Sequence, residues 1–110
     1  MQGNQKICKI IEEFSLYILE NSYANLNIDI KQDEYKTVLA FTLTYLEDHV
    51  KDYITQKIKG ERDRQIEEYG WELMGEGDSD DDLGIINALI DEITFKEADE
   101  KTVIRMVRYE

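Results

Sequence analysis

Proline is absent from this 110-residue chain, cysteine, histidine and tryptophan occur once each, and glycine occurs only 6 times. Without proline, the breaks between elements have to be read from clusters of Gly, Asn, Ser and Asp. The lone Cys8 cannot close an internal disulfide and has no second cysteine with which to bind a metal, as expected in a reducing compartment. It reads as a small hydrophobe. His49 has Glu47 and Asp48 beside it to tune it as a base, but the sequence places no Ser, Thr or Cys nucleophile next to it. No apolar run approaches the ~20 residues of a membrane span, and Met1-Gln-Gly-Asn-Gln-Lys6 leads into no signal-peptide core. The expectation is a soluble, cytoplasmic protein that does not enter a membrane.

Basic residues are also scarce, with 13 Lys and Arg against 25 Asp and Glu and a net charge of -12. A duplex phosphate backbone would be repelled over most of such a surface, which argues against nucleic acid as a partner. One stretch leans basic, through Lys51, Lys57, Lys59, Arg62 and Arg64, but Asp52, Glu61 and Asp63 are interleaved with it. It reads as a solvated helix face.

Hydrophobic residues make up 42% of the chain, enough for one core in a single domain spanning residues 1–110. Ile7, Ile10, Ile11, Phe14, Tyr17 and Ile18 recur at steps of three and four, predicting an amphipathic helix of about four turns. After turn chemistry at Asn21, Ser22 and Asn25, Leu26, Ile28 and Ile30 alternate with polar residues as in a half-buried strand. Asp33 and Glu34 connect it to a second strand, Tyr35 to Leu46, with Leu39, Phe41, Leu43 and Tyr45 on one face. These two should form a hairpin.

Helical spacing returns at Val50, Tyr53, Ile54 and Ile58 up to Gly60, and continues through Ile66, Tyr69 and Leu73 as one broken helix or two. Gly70, Gly75, Gly77 and the acidic run from Asp78 to Asp82 have loop composition. Leu83, Ile86, Leu89 and Ile90 then form the apolar side of a last helix. Ile93 and Phe95 begin a strand, Ala98 to Glu100 turn, and a final strand follows with Val103, Val107 and Tyr109 alternating with Ile104 and Met106. Apolar residues on both faces of that strand predict a place inside the sheet. The expected fold is α+β, a two-layer sandwich in which a mixed or antiparallel sheet of about four strands is covered on one face by helices.

This order, with Leu83-Gly84, Asp91-Glu92-Ile93 and Thr102-Val103-Ile104 in the terminal segment, resembles the histidine-kinase-like ATPase fold in its small form, the bacterial anti-sigma-factor serine kinases. In that family the first helix carries a Glu that activates a nucleophile and, four residues on, an Asn that holds magnesium. The resemblance puts Glu13 in the first place and Tyr17, a poor magnesium ligand, in the second. The family's Asp-x-Gly-x-Gly falls on Asp48-His49-Val50, with a branched side chain where glycine is needed. Its glycine-rich phosphate loop is reduced to Gly75-Glu-Gly77 and Gly84, with Asp78, Asp80, Asp81 and Asp82 among them. Each carboxylate against a triphosphate would cost about 4 kcal/mol at ~4 Å and an effective dielectric of ~20.

The expectation that follows is a non-catalytic member of that fold, without ATP or another cofactor, acting as a regulatory protein-binding module. The resemblance implies a sigma factor or anti-anti-sigma factor as partner, and dimerisation. The expected partner surface is Tyr69, Trp71, Met74, Asp78, Asp80 and Asp82, where the family has its nucleotide lid. Asp78, Asp80 and Asp82 match the start of a calcium loop, but Leu83 and Leu89 stand where its glycine and glutamate belong, so no metal is expected. Two rivals remain: an active serine kinase using Glu13, Asp48 and Gly84, and an unrelated α+β interaction module.

Overall fold

The computed structural model of the chain describes residues 3–70 and 82–110. Within them the order is α1 (Asn4–Asn21), β1 (Asn25–Gln32), β2 (Lys36–Thr44), α2 (Asp48–Lys57), a π-helical turn (Ile66–Gly70), α3 (Asp82–Leu89), β3 (Glu92–Ala98) and β4 (Lys101–Tyr109). The strands form one antiparallel sheet in the order β1-β2-β4-β3, and the helices pack on one of its faces. The fold is therefore α+β, as the pattern of elements predicts.

Alternation along the strands decides which face is covered. On β2, Thr37, Leu39, Phe41 and Leu43 are buried, while the residues between them are half-exposed. On β4, Thr102, Ile104, Met106 and Arg108 are buried opposite them in register. Against these pack Ile7, Ile10, Phe14 and Ile18 of α1, Val50 and Ile54 of α2, and Leu83, Ile85, Ile86 and Leu89 of α3. The Phe14 and Phe41 rings meet at 4.3 Å between centroids and 39° between planes. Both β2 and β4 are interior strands, which is why they carry the apolar residues.

Local chemistry explains the joints. Asn21 Nδ2 donates to the Tyr17 carbonyl at 2.9 Å, and Ser22 leaves the helix in an extended conformation. The Ser22 hydroxyl donates to Glu47 and accepts from the Ala24 N–H, so the exit of α1 is tied to the entry of α2. This bond, with the backbone bonds to Glu47, holds that carboxyl below its usual range. In the first hairpin, Asp33 Oδ1 accepts from the N–H groups of Tyr35 and Lys36 at 2.7 and 3.0 Å. Gly60, at φ 76°, is where side-chain-free backbone is required: a Cβ there would stand 3.0 Å from the Asp91 carbonyl oxygen.

Several sequence expectations need correction. The second strand ends at Thr44; Tyr45 turns into the left-handed region at φ 63° and is exposed, off the buried row of Leu39, Phe41 and Leu43. Ile28 and Ile30 are 37% and 52% exposed, because β1 is the sheet's edge and the helices cover it incompletely. Cys8 is exposed, since α1 turns its other side to the core. Helical spacing continues to Gly60 in the sequence, whereas α2 stops at Lys57 and the chain runs extended from Ile58.

Candidate functional site

Glu13 and Tyr17 lie on the inward side of α1, one turn apart. Glu13 is 3% exposed, and its Oε1 accepts an ion pair from Lys9 Nζ at 2.8 Å. Its Oε2 is buried and has no hydrogen-bond partner among the described residues. Tyr17 meets Tyr53 of α2 edge to face, with centroids 5.6 Å apart at 79°. Burial and then the neighbouring Tyr53 push the Tyr17 phenol above its ordinary pKa, so it stays a neutral hydroxyl at physiological pH. A packed neutral phenol does not supply the anionic or amide oxygen that magnesium requires.

Asp48 stands elsewhere. It opens α2 with a side chain 95% exposed, where the positive end of the helix dipole favours a carboxylate. It borders a shallow hollow of about 410 Å³ together with Tyr45, Leu46 and the β3–β4 turn, a hollow that neither Glu13 nor Gly84 lines. Val50, two residues on, is 1% exposed and sits in the core, so the segment aligned with a glycine loop is instead the first turn of a helix. Of the three residues that the kinase reading needs, only Asp48 lines that hollow.

Gly84 sits within α3, and a Cβ built there meets no atom of another described element within 4 Å. Nothing in its surroundings demands glycine. Gly84→Ala should stabilise the protein by about 0.5–1 kcal/mol through helix propensity, read as a higher urea midpoint at unchanged slope. A lower midpoint would show that the position serves a close approach.

The largest buried polar assembly among the described residues was not legible in the sequence. Glu67, in the π-helical turn, is 5% exposed and accepts from Arg62 through Nε and a terminal nitrogen at 2.8 and 2.9 Å. It also accepts from Arg108 of β4 and from Lys6 of α1, the latter at 3.2 Å. Arg62 continues to Asp91 Oδ2 at 2.8 Å and to the Tyr109 carbonyl at 2.7 Å, and Arg108 donates to the Leu89 carbonyl at 2.8 Å. Burial alone would raise the Glu67 carboxyl; the hydrogen bonds from Arg62 and Arg108 outweigh it and hold that carboxyl far below the usual range.

Arg62 is therefore not part of a solvated helix face, as its neighbours in sequence suggested: its side chain is 8% exposed and bonded on every side. The spacing from Arg62 to Glu67 matches no helical face, because the turn between them is capped anew. Asp63 Oδ1 accepts from the N–H groups of Gln65 and Ile66 at 3.0 and 3.2 Å. That Asp, three residues before an apolar one, was the available signal for a helical start.

Of the expected partner surface, Trp71, Met74, Asp78 and Asp80 lie outside the described residues, as do the side chains of Tyr69 and Asp82. Among the described residues no group of His, Cys, Asp and Glu is arranged to hold a metal ion, and no helix is long and apolar enough to cross a membrane. Comparison with protein-family models, with curated proteins and with solved structures finds no match.

Proposed function

We propose that this chain is a non-catalytic regulatory domain that acts by binding another protein, built on a scaffold resembling the histidine-kinase-like ATPase fold of anti-sigma kinases. The observation that carries this reading is the packing of Tyr17 on Tyr53: the position that would hold magnesium is committed to the α1–α2 contact. A sigma factor or anti-anti-sigma factor is the partner that the resemblance implies, and dimerisation is the assembly it implies.

One feature favours the rival, an active kinase with Glu13 as base. Its Oε2 is buried without a hydrogen bond, as a carboxylate awaiting a substrate proton would be. Titration of ATP and ADP with magnesium, followed by Tm, separates the two readings, because a ligand that binds the folded state alone must raise Tm by mass action. The module predicts no rise at millimolar nucleotide. A saturable rise, together with a turnover that Glu13→Ala abolishes, would replace it with the kinase.

A further inference from the structure

The helices cover one face of the sheet, and the other carries a charge opposite to that of the whole protein. Pairing register assigns to it alternate residues of all four strands. Among these are five cations, Lys31, Lys36, Lys96, Lys101 and Arg105, against two carboxylates, Asp29 and Glu92. The face thus carries a net +3 on a chain of -12, leaving -15 for everything else.

Five of the eight cations elsewhere are tied down by carboxylates, whereas Lys57, Lys59 and Arg64 share the state of those on this face. Lys6, Lys9, Lys51, Arg62 and Arg108, all away from this face, are each held in an ion pair. None of the five on the open face takes part in an ion pair among the described residues. Between them lies an apolar strip, Val38 and Ala40 of β2 beside Val107 and Val103 of β4, half-buried or buried although no described helix covers it. Arg105 lies at the centre, opposite Ala40 on one side and Thr94 on the other. A hollow of about 390 Å³ opens there, bordered by Lys31, Lys36 and Arg105, by Val38 and Ala40, and by Gln32 and the acidic Asp29 and Asp33.

We propose that this open sheet face is the docking surface for a protein partner that presents acidic side chains around an apolar centre. This deepens the protein-binding reading and rests on it. Carboxylates of the partner would meet these cations while its apolar residues cover the half-buried Val38, Ala40 and Val103, so that complementary charge steers the encounter and the apolar residues supply the contact. Four strands at ~4.8 Å and nine residues at ~3.3 Å each make a face of roughly 19 by 30 Å, the size of a small, transient interface.

Other occupants fit less well. A second copy docked face to face would set five cations against five. A single-stranded nucleic acid would find no row of aromatic side chains on which to stack, since Tyr109 stands at the margin with its hydroxyl bonded to Glu92. It would also meet Asp29 on the face and the excess negative charge of the rest of the molecule.

The test uses the full chain, ¹⁵N-labelled, titrated with a synthetic 15-residue peptide in which Glu and Asp alternate with Leu and Val. Amide shifts should move along β2 and β4, and affinity should fall as salt rises. Arg105→Glu and, separately, Lys96→Glu should each weaken binding at least tenfold while Tm stays near that of the parent; both side chains are exposed, so folding should survive. Charge reversal at Arg64, away from the face, should leave affinity unchanged. Shifts confined to the helical side would overturn the docking face and keep the protein-binding reading. A silent peptide together with a nucleotide-dependent rise in Tm would overturn both, and tighter binding of poly(U) than of the peptide on the same amides would replace the protein partner with a nucleic acid.

Discussion

Glu67→Gln is expected to cost about 3–5 kcal/mol of folding stability, a large share of the 5–15 kcal/mol typical of a domain. The carboxylate it removes is the common acceptor of Lys6, Arg62 and Arg108, from three different parts of the chain. Glutamine keeps one acceptor oxygen and turns an amide N–H₂ toward the guanidinium groups. Arg108, whose side chain is 5% exposed, would then keep its charge without an anion, and its Nε already has no acceptor. In a thermal melt the change should appear as a fall in Tm of roughly 10–20 °C. Adding Arg108→Met to Glu67→Gln should cost less than the two changes separately, since it withdraws the stranded cation as well. A loss below about 1 kcal/mol would mean that water screens the assembly as it does a surface pair.

The same carboxylate sets a pH dependence. Its folded pKa lies below its unfolded value of about 4.3, so over that interval the unfolded chain binds the extra proton. The stability it contributes is fully present above that value and is lost as pH falls through the acid range toward the folded pKa. Asp33 and Glu47, also lowered, act in the same direction from exposed positions. In urea midpoints taken from pH 6 downward, the parent should therefore lose stability more steeply than Glu67→Gln, and the two curves should converge in acid. Parallel curves would remove Glu67 as the titrating group.

What could be read from the sequence was whatever repeats at a fixed period. The stripe from Ile7 to Ile18, the alternation through Leu39, Phe41 and Leu43, and the doubly apolar strand around Ile104 and Val107 all returned as elements of the predicted kind. Periodicity says nothing about which strands are neighbours, so it could not show that β1 would be left at an edge with Ile28 and Ile30 partly in water. The Glu67 assembly was invisible for a related reason. Its bonded partners lie up to 61 residues apart, and a charged residue bound for the interior looks the same in sequence as one bound for solvent. The basic open face has the same origin: its cations come from all four strands, and only the register of the sheet brings them together.

Phe41→Ala should cost about 3–5 kcal/mol, comparable to the loss at Glu67 but through packing alone. Phe41 is fully buried on an interior strand, between Ile28 of β1 and Ile104 of β4, with Phe14 of α1 stacked above it. Removing its ring leaves a cavity between sheet and helix that cannot close without moving α1, which is itself tied to β4 through Lys6, Glu67 and Arg108. Ile28→Ala makes the contrast: it lies on the same face and pairs with Phe41, yet it is 37% exposed, and its loss should be about 1 kcal/mol. Combining Phe41→Ala with Phe14→Ala isolates the ring contact, which should appear as a coupling of roughly 0.5–1.5 kcal/mol in urea denaturation. Strict additivity would mean that the two rings act as independent fillers of the core. Equal losses at Phe41 and Ile28 would mean that α1 covers β1 as fully as it covers β2, and the edge position of β1 would no longer explain its partly exposed isoleucines.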